Sequence, residues 1–270
     1  MRTSLDRIAK ALERMAPPPR EQADPLACPA YVWRAGVLVC ARAFVPLPLA
    51  LLTGIDVQKQ VLTDNLRRLA SGLPAHDVLL WGARGSGKSA LVKAAVGEVQ
   101  REDGAIALIE VANEALDDLP ALFGTISGLA RAFAIFVDDL GFSEGDAGPR
   151  RLRSLLEGGA EARPANARLL VTANRRHIVP RDIAEQASAI AARDVADDKL
   201  ALADRFGLSL GFHVADQATY LTMVEAYARA HGLSFDPADA IAWATLRGHR
   251  SGRVAWQYVV ELVGREGKRL

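Results

Sequence analysis

Residues Gly82-Ala83-Arg84-Gly85-Ser86-Gly87-Lys88-Ser89 satisfy every fixed position of the phosphate-loop pattern GxxxxGK[ST], the Walker A motif. Its glycines let the backbone curl so that successive N–H groups point inward at phosphate oxygens. A helix starting at the lysine adds the positive end of its dipole. In such a loop Lys88 reaches the β- and γ-phosphates of a nucleotide and Ser89 ligates magnesium. These eight residues and Ala90 after them are the candidate nucleotide-binding set. The competing reading is a chance glycine-rich turn.

A phosphate loop needs a carboxylate for its metal. "FAIFVDDL" supplies an apolar run ending in Asp138-Asp139, the Walker B pattern. Asp138 is placed to hold magnesium through water, and Asp139 to activate the attacking water. Two acids at the tip of a buried strand repel unless a cation offsets them; otherwise they are a solvated strand end. "VTANRRH" ends a further apolar run in Asn174. An amide there both donates and accepts, so it can orient a water beside the phosphates. Asparagine also ends strands simply because it tolerates turns.

The elements that must position these residues follow from hydrophobic pattern. Short apolar runs at 77–81, 105–111, 132–139, 168–174 and 208–212 read as five strands, separated by helical patterns at about 88–100 and 149–159. Continuous apolar strands alternating with helices imply a buried parallel sheet covered on both faces. Residues 56–70 read as a helix with Asp56 as N-cap. Residues 1–16 carry one apolar helical face, and 17–50, rich in proline, read as irregular. After 213 the strands give way to three helix patterns, with Asp236 and Ser251 as cap signals. The expected architecture is therefore an N-terminal segment (1–45), an α/β core (46–212) and a helical lid (213–270).

Composition bounds the partners. Lys+Arg 33 against Asp+Glu 32 gives a net charge of +1, so no global field favours nucleic acid or an anionic membrane. Arg150, Arg151 and Arg153, and Arg175, Arg176 and His177, are local basic clusters that could touch phosphates or simply be solvated. No aromatic residues interleave with them to stack bases. The two cysteines, Cys28 and Cys40, form no CxxC pair, and the five histidines are scattered. A disulfide framework and a structural zinc site are therefore not expected, and a reducing cytoplasm is. No apolar run is long enough to span a bilayer.

Together, the phosphate loop, the Asp-Asp strand end, the Asn-tipped strand, "DRFG" and the C-terminal helices resemble an AAA+ ATPase. "LWGARGSGKSALVKA", "TANRRH", "LADRFGLSLGF" and "SGRVAWQ" further resemble the bacterial ATP-binding family catalogued as domain of unknown function 815, over roughly residues 45–260. The resemblance implies ATP and Mg2+ as cofactors. It implies that Gly54 and Ile55 of "LTGID" line the adenine pocket. It implies that Arg205 is an arginine finger reaching a neighbouring subunit's γ-phosphate in a homo-oligomer, and that Arg253 is a lid arginine contacting the nucleotide. The alternatives are a surface Arg205 paired with Asp204 and a solvated Arg253.

This chain departs from the AAA+ pattern in carrying Asp-Asp where Asp-Glu is commoner. Replication initiators of that class carry such acid pairs and resemble slow switches. Phe123-Gly124 lacks the setting of a pore loop, which disfavours a protein-threading unfoldase. The expectation is a slow Mg-dependent ATPase of initiator or loader type, with Lys88, Asp139, Asn174 and Arg205 catalytic and an unidentified macromolecular partner. The competing readings are a non-hydrolysing nucleotide sensor and a P-loop small-molecule kinase.

Overall fold

The computed structural model describes residues 22–141, 152–153, 155–156, 163–174 and 205–269. Among these residues seven strands form one sheet: β1 (Ala30–Arg34), β2 (Val37–Cys40), β3 (Val78–Gly82), β4 (Ile106–Val111), β5 (Ala132–Val137), β6 (Ala167–Ala173) and β7 (Leu208–Phe212). Their order is β2-β1-β4-β5-β6-β3-β7, and every pairing is parallel except β1 with β2. The central strands are apolar along their length; all six residues of β5 are buried. That pattern belongs to a sheet covered on both faces.

The five expected strands are all present, but the sheet has seven. The difference lies in residues 30–40, expected to be irregular. There β1 and β2 make a hairpin whose turn residues, Ala35 and Gly36, both have positive φ (49° and 75°), as tight hairpin turns require. β1 then pairs with β4, Ala30 opposite Leu108, and sinks Tyr31 and Trp33 into the core. A disulfide joins Cys28 to Cys40 across the hairpin, against the expectation of unpaired thiols. The register explains it: Tyr31 lies opposite Cys40, which brings the residues just before β1 beside the end of β2.

Helices α1 (Asp56–Ala70) and α2 (Lys88–Arg101) pack together on one face of the sheet, and α3 (Leu119–Ile126) on the other. Asp56 is the first residue of α1 rather than its cap; Ile55 occupies that position, and Asp56 instead pairs with Lys59 at 2.6 Å. Phe123 lies inside α3, 4% exposed, as a core residue. At the N-terminal rim of the sheet, Asp77 is buried. It accepts a hydrogen bond from Leu169 N at 2.8 Å and forms an ion pair with Arg163. Burial raises the Asp77 pKa above the usual carboxylate range, and Arg163 opposes that shift.

The lid is α4 (Gln217–Ala230), α5 (Pro237–Leu246) and α6 (Gly252–Arg265), with its own small core around Tyr220, Val224 and Tyr258. Asp236 and Ser251 cap α5 and α6 through their side chains, as expected from sequence. Lid and core are joined through residues 47–55: Leu51 packs into the lid, and Leu52 and Ile55 into the core. The expected helix over 1–16, Arg175, Arg176, His177, Arg150, Arg151 and Asp204 lie outside the described residues. In the 149–159 stretch, Leu152, Arg153, Leu155 and Leu156 are helical. Among the described residues, no helix is long and apolar enough to cross a membrane.

Candidate nucleotide site

The phosphate loop connects the C-terminal end of β3 to α2. Parallel pairing of β3 with β6, and of β6 with β5, brings the tips of all three strands to the same rim. Gly82 fits only as glycine: its φ is 134°, and a Cβ would stand 1.9 Å from Phe212 O of β7. Gly87 closes the loop in a left-handed conformation as the N-cap of α2. Ser86 Oγ braces the turn by donating to Ala83 O at 2.7 Å.

Lys88 is 7% exposed. Its Nζ donates to Gly82 O at 2.9 Å, Ala83 O at 2.8 Å and Asn174 Oδ1 at 3.4 Å. Burial lowers its pKa; the charges of Asp139 and Asp138 oppose the shift, while Arg253 and Arg84 reinforce it. Three cations therefore crowd one rim, the electrostatic condition for holding a polyanion.

The two acids diverge. Ser89 Oγ donates to Asp138 Oδ1 at 2.6 Å, and so does Thr172 Oγ1, at 2.6 Å. Asp139 takes a positive φ of 53°, a conformation that costs a non-glycine residue roughly 1–2 kcal/mol. The turn is held by its own N–H donating to Thr172 Oγ1 at 2.7 Å and by Asn113 Nδ2 donating to Asp139 O at 3.3 Å. Asn174 Nδ2 donates to Asp139 Oδ1, and Arg84 lies 3.9 Å from Oδ2. Neither Thr172 nor Asn113 stands out in the sequence. Thr172 is an interior residue of an apolar strand, and Asn113 follows one.

Magnesium favours oxygen ligands, usually one or two carboxylates with substrate phosphates and water. The Ser89 hydroxyl and the exposed Asp138 carboxylate, already in contact, are oxygen donors of the kind that could hold it. Among the described residues no group of three His, Cys, Asp or Glu forms an all-protein cage.

The lid closes over the loop. Two cavities adjoin the contact between residues 251–253 and Gly85, sharing Arg84 and Gly252 in their linings. One, of about 460 Å³, is lined by Gly54, Ile55, Ala83, Ser86, Thr219 and Met223 among others. The other, of about 520 Å³, holds Lys88, Ser89, Asp138, Asp139, Asn174 and Arg253. Gly85, Gly87 and Ala90 line this second cavity, while Arg84 lines both. Leu52, Tyr227 and Trp256 extend it as an apolar wall that sequence reasoning had not assigned. Arg205 is not among the residues brought together. It precedes β7, whose first residue Leu208 pairs with Val78 at the start of β3, so it stands at the opposite rim of the sheet.

This strand order, with its phosphate loop, acid pair, Asn-tipped strand and helical lid, defines the fold of the AAA+ P-loop ATPases. The chain belongs to the family described as Protein of unknown function (DUF815), whose model matches residues 26–266. A single-residue variant of Thermotoga maritima RuvB is 17% identical, covers 83% of this chain and 67% of its own, and superposes with a TM-score of 0.56. Aeropyrum pernix ORC1 in complex with DNA is 16% identical, with coverages of 84% and 66% and a TM-score of 0.54. Aeropyrum pernix ORC2, solved as ADPNP–ADP complexes, is 16% identical, with coverages of 84% and 67% and a TM-score of 0.54. No curated protein matches the chain.

Proposed function

We propose that this protein binds ATP with magnesium between core and lid. It hydrolyses the nucleotide slowly, as a switch of initiator or loader type acting on a macromolecular partner. The observation that carries the reading is the convergence of Lys88, Ser89–Asp138 and Asp139–Asn174 on one rim beneath Arg253. The fold shared with a DNA-bound ORC1 and a nucleotide-bound ORC2 supports it.

Lys88 exchanges the loop carbonyls for phosphate oxygens. The loop amides and the N-terminus of α2 hold the remaining phosphate charge. Ser89 and Asp138 would hold magnesium, which would supply positive charge to offset that of the phosphates. Asn174 orients the attacking water and Asp139 accepts its proton. Gly54 and Ile55 face the adenine. Arg205, on the far rim of its own subunit, serves the site of a neighbour in a homo-oligomer and stabilises charge developing in transfer. Asp139 is one methylene shorter than glutamate, which suits a switch more than a fast motor. The partner is a protein or nucleic acid bound through a local patch.

The test is ATP binding measured with magnesium and with EDTA, in the parent and in Lys88→Ala. The parent should bind in a magnesium-dependent manner, and the variant should lose tight binding. A parent without magnesium-dependent affinity for adenine nucleotide would overturn the reading.

One observation favours a second reading, a sensor that binds without hydrolysing: Asn174 donates to one oxygen of Asp139, and Arg84 faces the other at 3.9 Å. Single-turnover hydrolysis in the parent and Asp139→Asn separates the two. Negligible hydrolysis in both would favour the sensor, and a measurable parental rate that falls in Asp139→Asn would favour the ATPase.

A further inference from the structure

We propose that Thr172, on β6, is the positioning residue that sets both acids of the site; this rests on the ATPase reading above. Its hydroxyl has one proton and uses it on Asp138 Oδ1, at 2.6 Å. Its oxygen accepts the Asp139 N–H at 2.7 Å. Its backbone carbonyl accepts Leu140 N at 2.7 Å. One residue thus grips three successive positions of the neighbouring strand's exit.

The geometry requires such a grip. β5 pairs with β6 only as far as Val137 opposite Val171. Beyond that point no ladder holds the chain, yet the next two residues carry the chemistry. Along a strand, neighbouring side chains point to opposite faces, which would send one of the two acids away from the cleft. The left-handed turn at Asp139 swings its carboxylate back toward Asn174, and the Thr172 hydroxyl anchors that turn. Because the same hydroxyl donates to Asp138 beside Ser89, the metal-holding acid and the proton-accepting acid are tied to one atom. Thr172 is 1% exposed, so water does not replace the hydroxyl where it is lost.

Valine matches threonine in shape and removes only the hydroxyl; serine keeps it. Three measurements on Thr172→Val and Thr172→Ser decide the matter: exchange of the Asp139 amide proton, ATP affinity with magnesium and with EDTA, and the hydrolysis rate. In Thr172→Val the Asp139 amide should exchange at least ~10-fold faster and hydrolysis should fall ~10-fold or more, the size expected when a buried donor loses its partner. The magnesium-linked gain in ATP affinity should shrink, while affinity in EDTA stays within ~2-fold, because loop and lysine are untouched. Thr172→Ser should restore all three. Equal defects in the serine and valine variants would overturn the proposal, since packing rather than the hydroxyl would then matter. Parental amide exchange in Thr172→Val would overturn it as well.

If valine prevents folding, Thr172→Ala against Thr172→Ser gives the same comparison, the pair differing only in the hydroxyl. A parent inert toward ATP would defeat the ATPase reading alone; the amide exchange would still decide the role of Thr172.

Discussion

The backbone nitrogen of Arg253 donates to the carbonyl oxygen of Gly85 at 3.3 Å, so the first turn of α6 rests on the phosphate loop itself. The seat is tight. Gly85 has a φ of +76°, and a Cβ there would approach Ser251 Oγ to 2.9 Å. Gly85→Ala therefore strains the loop and pushes against the lid. The expected outcome is a folded protein whose ATP affinity, by titration calorimetry, is weaker by ~10-fold or more. Parental affinity would show that nucleotide binding does not depend on this seat.

Arg205 lies on the rim opposite the cleft, and the proposed function gives it to a neighbouring subunit. Arg205→Ala should keep ATP affinity and lose hydrolysis by ~10³-fold or more at concentrations where the parent assembles. Mixing it with Lys88→Ala should restore part of the rate, because one subunit contributes the finger and the other the loop. Hydrolysis by Arg205→Ala at the parental rate removes the finger assignment.

The Asp77–Arg163 pair links stability to pH. Burial raises the pKa of Asp77, so its charged form is unfavourable to the fold. The stability it contributes is complete below the ordinary carboxylate pKa and is lost as pH rises through the raised value. Arg163 limits that loss by pulling the value back. Arg163→Ala should destabilise the protein by about 3 kcal/mol at neutral pH. The deficit relative to the parent should widen as pH rises from about 4 to about 8. Urea melts across that range check the sign, and a deficit that narrows with rising pH contradicts it.

The Cys28–Cys40 bond closes a short loop, with a sequence separation of 12. Constraining a loop of that size in the unfolded chain is worth about 3 kcal/mol. Cys28→Ser should lower the unfolding midpoint, and reductant should lower that of the parent alone. A parent indifferent to reductant would mean that the bond contributes nothing to stability.

The positions of the candidate site were legible in the sequence because its motifs depend on fixed spacing. The phosphate loop, Asp138-Asp139 and Asn174 are each read from a few adjacent residues, and parallel pairing then brings them together. β7 and α1 also fell at their expected residues, since hydrophobic period alone marks them. The hairpin at 30–40 was hidden because its turn is Ala35-Gly36 rather than Asn-Gly or Asp-Gly, and prolines on either side suggested a loop. Thr172 was hidden for a different reason. Its role comes from lying one position past the end of the β5–β6 ladder, a register that no single strand's sequence reveals.

The pairing of β1 with β4 also constrains the order of assembly. During synthesis the hairpin leaves the ribosome long before residues 106–111, against which Ala30–Trp33 must dock. Two strands alone are marginally stable in water, so Tyr31 and Trp33 stay without cover until the centre of the sheet has formed. Contacts this distant along the chain close late. Among the described strands β1 must therefore wait for β4, and the rim that carries the phosphate loop waits longer still, because β3 must find β6, Val78 opposite Leu170, across a wider gap in the chain.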